Sequence, residues 1–290
     1  MRGAKLASWF GALFLGLVSA AAGAEKGAPV TNQDRMFDQF TYIREAAIVD
    51  RGQLRLEVHG LIGRDDKEKD GLQVIQRRFP AGDHDRGERR DDLREVSGGI
   101  VGLRGSYGLF QNLEVGFDVL GVIQGLDFAD APSENEADMG DLYLYGKYLR
   151  QVTDELAVGA GADVRVPTGS ERKRLGTGEV GATPFVNARY TSGRWAVGAH
   201  AGFEFNDDEL DDVFNWSSFG IFRATDSYAL RAEIVGRHFE YGGVKVDEVV
   251  VVPGIDYNFS DLLTLRPVGL AGVTDEALDY GLGLGIVLSF

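Results

Sequence analysis

The sequence predicts an all-β chain closed into a transmembrane, antiparallel, up-and-down barrel of about twelve strands. Three observations carry that expectation. Segments of about ten residues or more alternate an apolar face with a face of glycine, charge and small polar groups. Short turns and longer polar loops alternate between those segments, and the chain ends on an aromatic residue, Phe290. Together these are the sequence signature of an outer-membrane barrel.

Composition bounds the alternatives. Apolar residues make up 44% of the 290 and charged residues 26%, a balance that fits a packed protein rather than a disordered one. Glycine, at 40 residues, is about twice its average usage, has no collagen period and falls inside the alternating segments. The absence of cysteine excludes a disulfide framework, thiolate zinc and a cysteine nucleophile. A net charge of -15 and a pI near 4.7 argue against nucleic-acid binding, which needs a basic face.

Residues 1–24 read as a secretory signal peptide. Arg2 and Lys5 give a basic start, Leu6 to Val18 is almost unbroken apolar sequence, and Ala22-Gly23-Ala24 supplies the small-residue cleavage site. That apolar stretch is shorter than the roughly 20 residues a spanning helix needs. Cleavage after Ala24 leaves residues 25–290 and removes two positive charges; an uncleaved anchor is the competing reading. A secreted chain without cysteine fits a bacterial envelope protein.

The alternation defines the strands. Leu54, Leu56, Val58, Gly60 and Ile62 stand against Arg55, Glu57, His59 and Leu61; Leu113, Val115, Phe117 and Val119 against Glu114, Gly116 and Asp118. Leu156 to Val166, Trp195 to Glu204 and Tyr280 to Phe290 repeat the pattern. Short turns fall near 111–112, 153–154, 192–193, 225–226 and 260–261, and polar loops at 65–92, 125–138, 168–179, 206–213, 241–246 and 273–278. The segments between them predict strands at 52–64, 93–108, 112–124, 139–150, 155–167, 180–191, 194–205, 214–224, 228–240, 246–258, 262–272 and 279–290. An even count puts both ends of the barrel, 52–290, on the short-turn side.

The reason for closure is strict: lipid cannot hydrogen-bond a backbone, so a sheet in the membrane must have no edge. Phe110, Tyr148, Tyr190, Tyr228, Tyr257, Phe259 and Phe290 lie near the short turns, where an interfacial aromatic girdle belongs. Phe290 closing an apolar alternation resembles the terminal signal that the barrel-assembly machinery reads. A soluble sandwich or lipocalin-like barrel is the alternative, with the apolar face inward.

If the apolar face meets lipid, the opposite parity lines the lumen. The basic inward set is then Arg55, Arg104, Lys147, Arg165, Arg189, Arg223, Arg231, Arg237 and Arg266. The acidic set is Glu57, Glu114, Asp118, Asp141, Asp163, Glu204, Glu233, Glu248 and Asp256, so the signs balance. Parity around Phe219 to Arg223 is ambiguous. A balanced lumen fits either a structural ion-pair network filling a narrow barrel or a hydrated passage. Inward glycines such as Gly116, Gly161 and Gly198 leave room for facing long side chains. Residues 25–51 precede the first strand; Met36, Phe37, Phe40 and Ile43 have helical spacing and fit a short periplasmic helix, a plug or a tether.

Two motifs carry a family resemblance. The run from Met139 through Gly140-Asp141-Leu142 to Lys147-Tyr148, a short turn, and a strand from Leu156 ending in Pro167-Thr168-Gly169-Ser170 resemble the outer-membrane family associated with meta-pathway phenol degradation. The stretches Arg51 to Glu57 and Tyr107 to Glu114 are similar to the same family. The resemblance implies a barrel passing small, often aromatic, organic compounds.

Other chemistry fits poorly. Of the four histidines, His59 and His200 face inward but neither lies in a serine–histidine motif, so no enzyme is expected. Asp66 to Gly71 begins like a calcium loop, yet the twelfth position is Arg77 where a bidentate glutamate belongs, so neither metal nor cofactor is expected. Arg77, Arg78, Arg86, Arg89 and Arg90 in the same loop suit lipopolysaccharide phosphates or ordinary charge mixing. The sequence therefore points to an outer-membrane passage for small solutes, with Asp141, Lys147, Asp163, Arg165, Arg189 and Glu204 lining it. The alternative is a sealed structural or binding barrel that contacts lipopolysaccharide or a partner through its loops.

Overall fold

The structure, a computed structural model, describes residues 49–66, 93–128, 134–169, 178–206, 212–241, 244–274, 277 and 279–290. The signal peptide, the helical spacing at 36–43 and the arginine loop at 67–92 lie outside these residues.

Twelve antiparallel strands form one closed barrel in simple sequence order, with β1 pairing to β12. They are β1 Leu54–Asp66, β2 Leu93–Phe110, β3 Leu113–Phe128, β4 Glu134–Gln151, β5 Leu156–Val166 and β6 Gly181–Ser192. The second half is β7 Trp195–Glu204, β8 Val213–Arg223, β9 Tyr228–Tyr241, β10 Val244–Asn258, β11 Leu263–Gly272 and β12 Tyr280–Ser289. Closure is completed by backbone bonds between the ends: Phe290 N–H donates to Leu54 O at 2.8 Å, and Leu54 N–H to Phe290 O at 3.2 Å. No strand edge remains unpaired, as a hydrocarbon setting demands.

The side chains sort by parity. Val58, Ile62, Val101, Val158, Val186, Val197, Leu230, Ile255, Leu282 and Leu284 all point outward and are exposed. The opposite parity is buried and carries Glu57, Glu114, Asp141, Lys147, Arg165, Arg189, Arg231, Glu233, Glu248, Asp256 and Arg266. This is a soluble protein's arrangement inverted, so the apolar exterior requires lipid. The ambiguous segment resolves: Ser217, Phe219 and Ile221 are buried inward while Phe214 and Ser218 are exposed.

Aromatic rings mark both rims. At the short-turn end Tyr228 and Tyr257 pack at 4.6 Å, Tyr257 and Phe259 at 4.3 Å, and Trp195 and Phe222 at 4.5 Å. At the long-loop end Phe203 meets Phe205, and Trp216 Nε1–H donates to His238 Nε2 at 2.8 Å. Rings with one polar atom suit the boundary between hydrocarbon and water.

Two expected loops are shorter than their composition suggests. Strand β3 continues to Phe128 and β4 begins at Glu134, so most of 125–138 is paired hairpin; likewise only two residues separate β9 from β10 in the expected loop at 241–246. Above the hydrocarbon, backbone pairing continues through sequence that mixes polar and apolar residues. Polarity therefore marks where lipid ends rather than where the strand ends.

Candidate functional site

Strands β4, β5 and β7 build the long-loop mouth of the lumen. Asp141, Arg165 and Glu204 come together there: the Arg165 guanidinium pairs with Glu204, approaches Asp141 Oδ2 at 3.9 Å, and donates from Nη2 to Asn206 Oδ1 at 2.7 Å. Arg165 reaches Glu204 by crossing β6 at Gly181, its direct cross-strand partner, where a Cβ would stand 3.0 Å from the guanidinium carbon. The two halves of the sequence motif also meet. Pro167 follows the last residue of β5, Thr168 Oγ1 donates to Gly140 O at 3.2 Å, and Gly169 N–H donates to Asp141 Oδ1 at 3.0 Å. Asp141 thus holds the base of the 168–179 loop against β4 with one oxygen and faces Arg165 with the other.

Of the other candidates, Lys147 and Arg189 sit nearer the short-turn end. Lys147 Nζ faces Glu114 Oε1 at 3.6 Å, and that oxygen also accepts from Tyr145 O–H at 2.7 Å. Arg189 donates from Nε to Thr191 Oγ1 at 3.2 Å. Asp163 is half-buried on the inward face of β5, two residues from Arg165. The six predicted residues therefore all face the lumen, but only Asp141, Arg165 and Glu204 form one cluster.

A second cluster runs along the opposite wall. Arg266 on β11 approaches Asp256 Oδ1 at 3.2 Å and Glu57 Oε2 at 3.9 Å, while Arg231 faces the same Asp256 oxygen at 3.6 Å. Arg104 donates to Asp118 Oδ2 from Nε and Nη2, at 3.1 and 2.7 Å. The inward face of β12 carries Gly281, Gly283 and Gly285 and then buried Val287; Gly285 pairs directly with Arg266, and Val287 with Glu57. The expected use of inward glycine holds elsewhere too: the Phe185 ring lies over Gly161 and the Phe219 ring over Gly198, each where a Cβ would collide with it. Such rings lie flat along the wall instead of crossing the lumen.

The lumen is less polar than parity predicts. Val235, Val252 and Val268 form a buried inward cluster with Val250 and Leu270 against it, on β9 to β11. Phe219, Ile221, Ala196 and Ala229 form another. These residues, and the inward Tyr143 and Tyr145, were missed because charge drew the reading of that face. Their parity with Asp141, Lys147 and Glu233 was the available signal. In a twelve-strand ring β10 lies opposite β4, so the valine strip belongs to the far wall, nearer the short-turn end than Asp141, Arg165 and Glu204.

A family model described as "Putative MetA-pathway of phenol degradation" matches residues 87–290. The chain belongs to this family. The match runs from before β2 to the C-terminus and so contains every predicted lining residue. Among solved structures, an outer membrane channel from Pseudomonas putida F1 is similar to this family member with a TM-score of 0.67 and 13% identity. That likeness covers 87% of this chain and 100% of the other. The NanC porin is similar with a TM-score of 0.50 and 11% identity, over 81% of this chain and 98% of the other. At these identities the likenesses establish the fold, a small outer-membrane barrel. No curated protein sequence matches the chain.

Proposed function

We propose that this barrel is a passive outer-membrane channel for small organic solutes, aromatic ones among them. One observation carries the reading: the inward surface combines an apolar strip, Val235, Val252 and Val268, with a charged and hydrogen-bonding mouth on the other wall. Small organic molecules with an apolar body and a polar group find both kinds of surface at once, and flat-lying rings leave width between them. Single-channel current across a planar bilayer tests it. Steady conductance is expected, and silence from correctly folded protein overturns it.

A sealed barrel is the second reading, favoured by the closely packed Glu57–Arg266–Asp256–Arg231 charges. It predicts that same silence. For partners, we propose that Phe290, exposed at the short-turn rim, is presented to the assembly machinery and that loop 65–92 meets lipopolysaccharide.

In this reading Arg165 and Arg189 set ion preference. Exchanging both for glutamate puts a third carboxylate beside Asp141 and Glu204, and the passage should shift several-fold toward cations. The reversal potential under a salt gradient reads this directly. No change would remove both residues from the permeation path.

A further inference from the structure

Among the described ion pairs of the lumen, one cation stays open to solution. Arg237 shares the inward parity of β9 with buried Arg231, Glu233 and Val235. Its side chain is 35% exposed. Arg104, Lys147, Arg165, Arg231 and Arg266, each paired within the wall, are 12% exposed or less.

The neighbouring strands pin this guanidinium and leave part of it to the lumen. Nε donates to Asn215 Oδ1 on β8 at 3.4 Å, and Nη1 stands 3.7 Å from Glu248 Oε2 on β10. Both residues are direct cross-strand partners of Arg237. Nη2 has no hydrogen-bond partner among the described residues. Apolar groups stand on either side along the strand. Toward the long loops, the guanidinium carbon lies 5.9 Å from the centre of the Phe239 ring, and Phe239 pairs with buried Val213. Toward the short turns, Val235 begins the apolar strip that it forms with Val252 and Val268. Val213 also pairs with Glu204, which sets this group at the level of the charged mouth. Across the lumen, Tyr143 on β4 interacts electrostatically with Arg237 as well as with Arg165 and Glu204.

We propose that Arg237 is a docking point for the carboxylate of small organic acids with an apolar body. The proposal deepens the passage reading and rests on it, since a docked acid matters to transport only in a lumen that conducts. A guanidinium matches a carboxylate in geometry as well as in charge, and Nη2 supplies the unused donors. Glu248 orients the guanidinium while staying 4% exposed, so the group a solute meets is the cation. Asp141 and Glu204 at the mouth are already answered by Arg165. With its carboxylate at Arg237, the body of the acid lies against Phe239 and Val213 on one side or Val235 on the other. A neutral molecule of the same shape gains only the apolar part of that contact.

The test uses the whole protein purified from outer membranes, with para-fluorobenzoate as the probe and para-fluorobenzyl alcohol as its neutral counterpart. Arg237→Gln removes the charge; Arg237→Lys keeps a charge beside Glu248 but loses the planar fork. In planar bilayers the benzoate should reduce the current of the unaltered protein. The half-blocking concentration should rise about tenfold in Arg237→Gln and by a smaller factor in Arg237→Lys. The alcohol should act equally on all three proteins. Broadening of the fluorine NMR line of the benzoate reads binding without conduction, and should be much weaker with Arg237→Gln than with the unaltered barrel. An unmoved half-blocking concentration in Arg237→Gln, or in Arg237→Lys if only that variant folds, overturns the docking point and leaves the passage standing. Silence from the unaltered barrel overturns the passage, and equal line broadening by the unaltered and altered barrels then overturns the docking point as well.

Discussion

Arg266→Met is expected to destabilise the folded barrel by about 3–5 kcal/mol, the usual cost of removing one partner from a buried charge network. Arg266 is 1% exposed and Asp256 0%, and the guanidinium stands between Asp256 and Glu57, both acidic and both buried. Without it Asp256 keeps Arg231 and Glu57 keeps Arg104, its cross-strand partner, so two buried carboxylates share less positive charge. Methionine keeps most of the volume, so the loss reports charge rather than a cavity. Urea unfolding from phospholipid vesicles, followed by the fluorescence of Trp195 and Trp216, measures it. Combining Arg266→Met with Glu57→Gln removes one of the carboxylates left behind, keeps the Arg231–Asp256 pair and should return part of the stability. If the single variant unfolds at the same urea concentration as the unaltered barrel, Arg266 does not hold the belt together.

The same belt explains a feature of the sequence that otherwise looks like waste. Glycine in a strand weakens it by giving up side-chain packing and backbone entropy. Here β12 carries Gly281, Gly283 and Gly285 on its inward face, between β11 with Arg266 and β1 with Glu57. The glycines trade local strand strength for an ion pair that ties three neighbouring strands at the seam where the barrel closes.

How much of this was legible in sequence follows from the range of each interaction. Strand identity, parity and barrel closure depend on residues one or two positions apart and on the turns between them, so all twelve strands could be placed from one chain. What required the fold were contacts between strands that are not neighbours. Arg165 meets Glu204 only because β6 offers Gly181 between them, and Asp141 meets Gly169 only because β5 ends at Val166 opposite Leu142, next to Asp141 on the longer β4. The Pro-Thr-Gly run could be recognised as a motif but its partner could not. The inward valines were hidden for a different reason: Val249 to Val252 is apolar at both parities, so period-two reading cannot say which members face lipid. The hydrogen bond from Val49 N–H to Glu114 joins residues 65 apart and left no local trace at all.

Leu284→Arg should cost about 2–4 kcal/mol, and the cost should fall along β12 toward the rim. Leu284 is 47% exposed on the outer face, midway along the strand, and faces Gly60 on β1 and Pro267 on β11. An arginine there must leave its charge in hydrocarbon or bend its stem toward the interface, and at mid-strand the interface is farthest away. Leu288 lies on the same face four residues on, beside Leu56 and Leu263 at the short-turn end. Leu288→Arg should lose only about 0–1 kcal/mol, because the guanidinium reaches headgroups. Unfolding both variants from vesicles gives a depth profile with its own internal control. A soluble barrel with this surface in water would show no such gradient, and equal costs at 284 and 288 would defeat the membrane placement on which every lumen assignment depends.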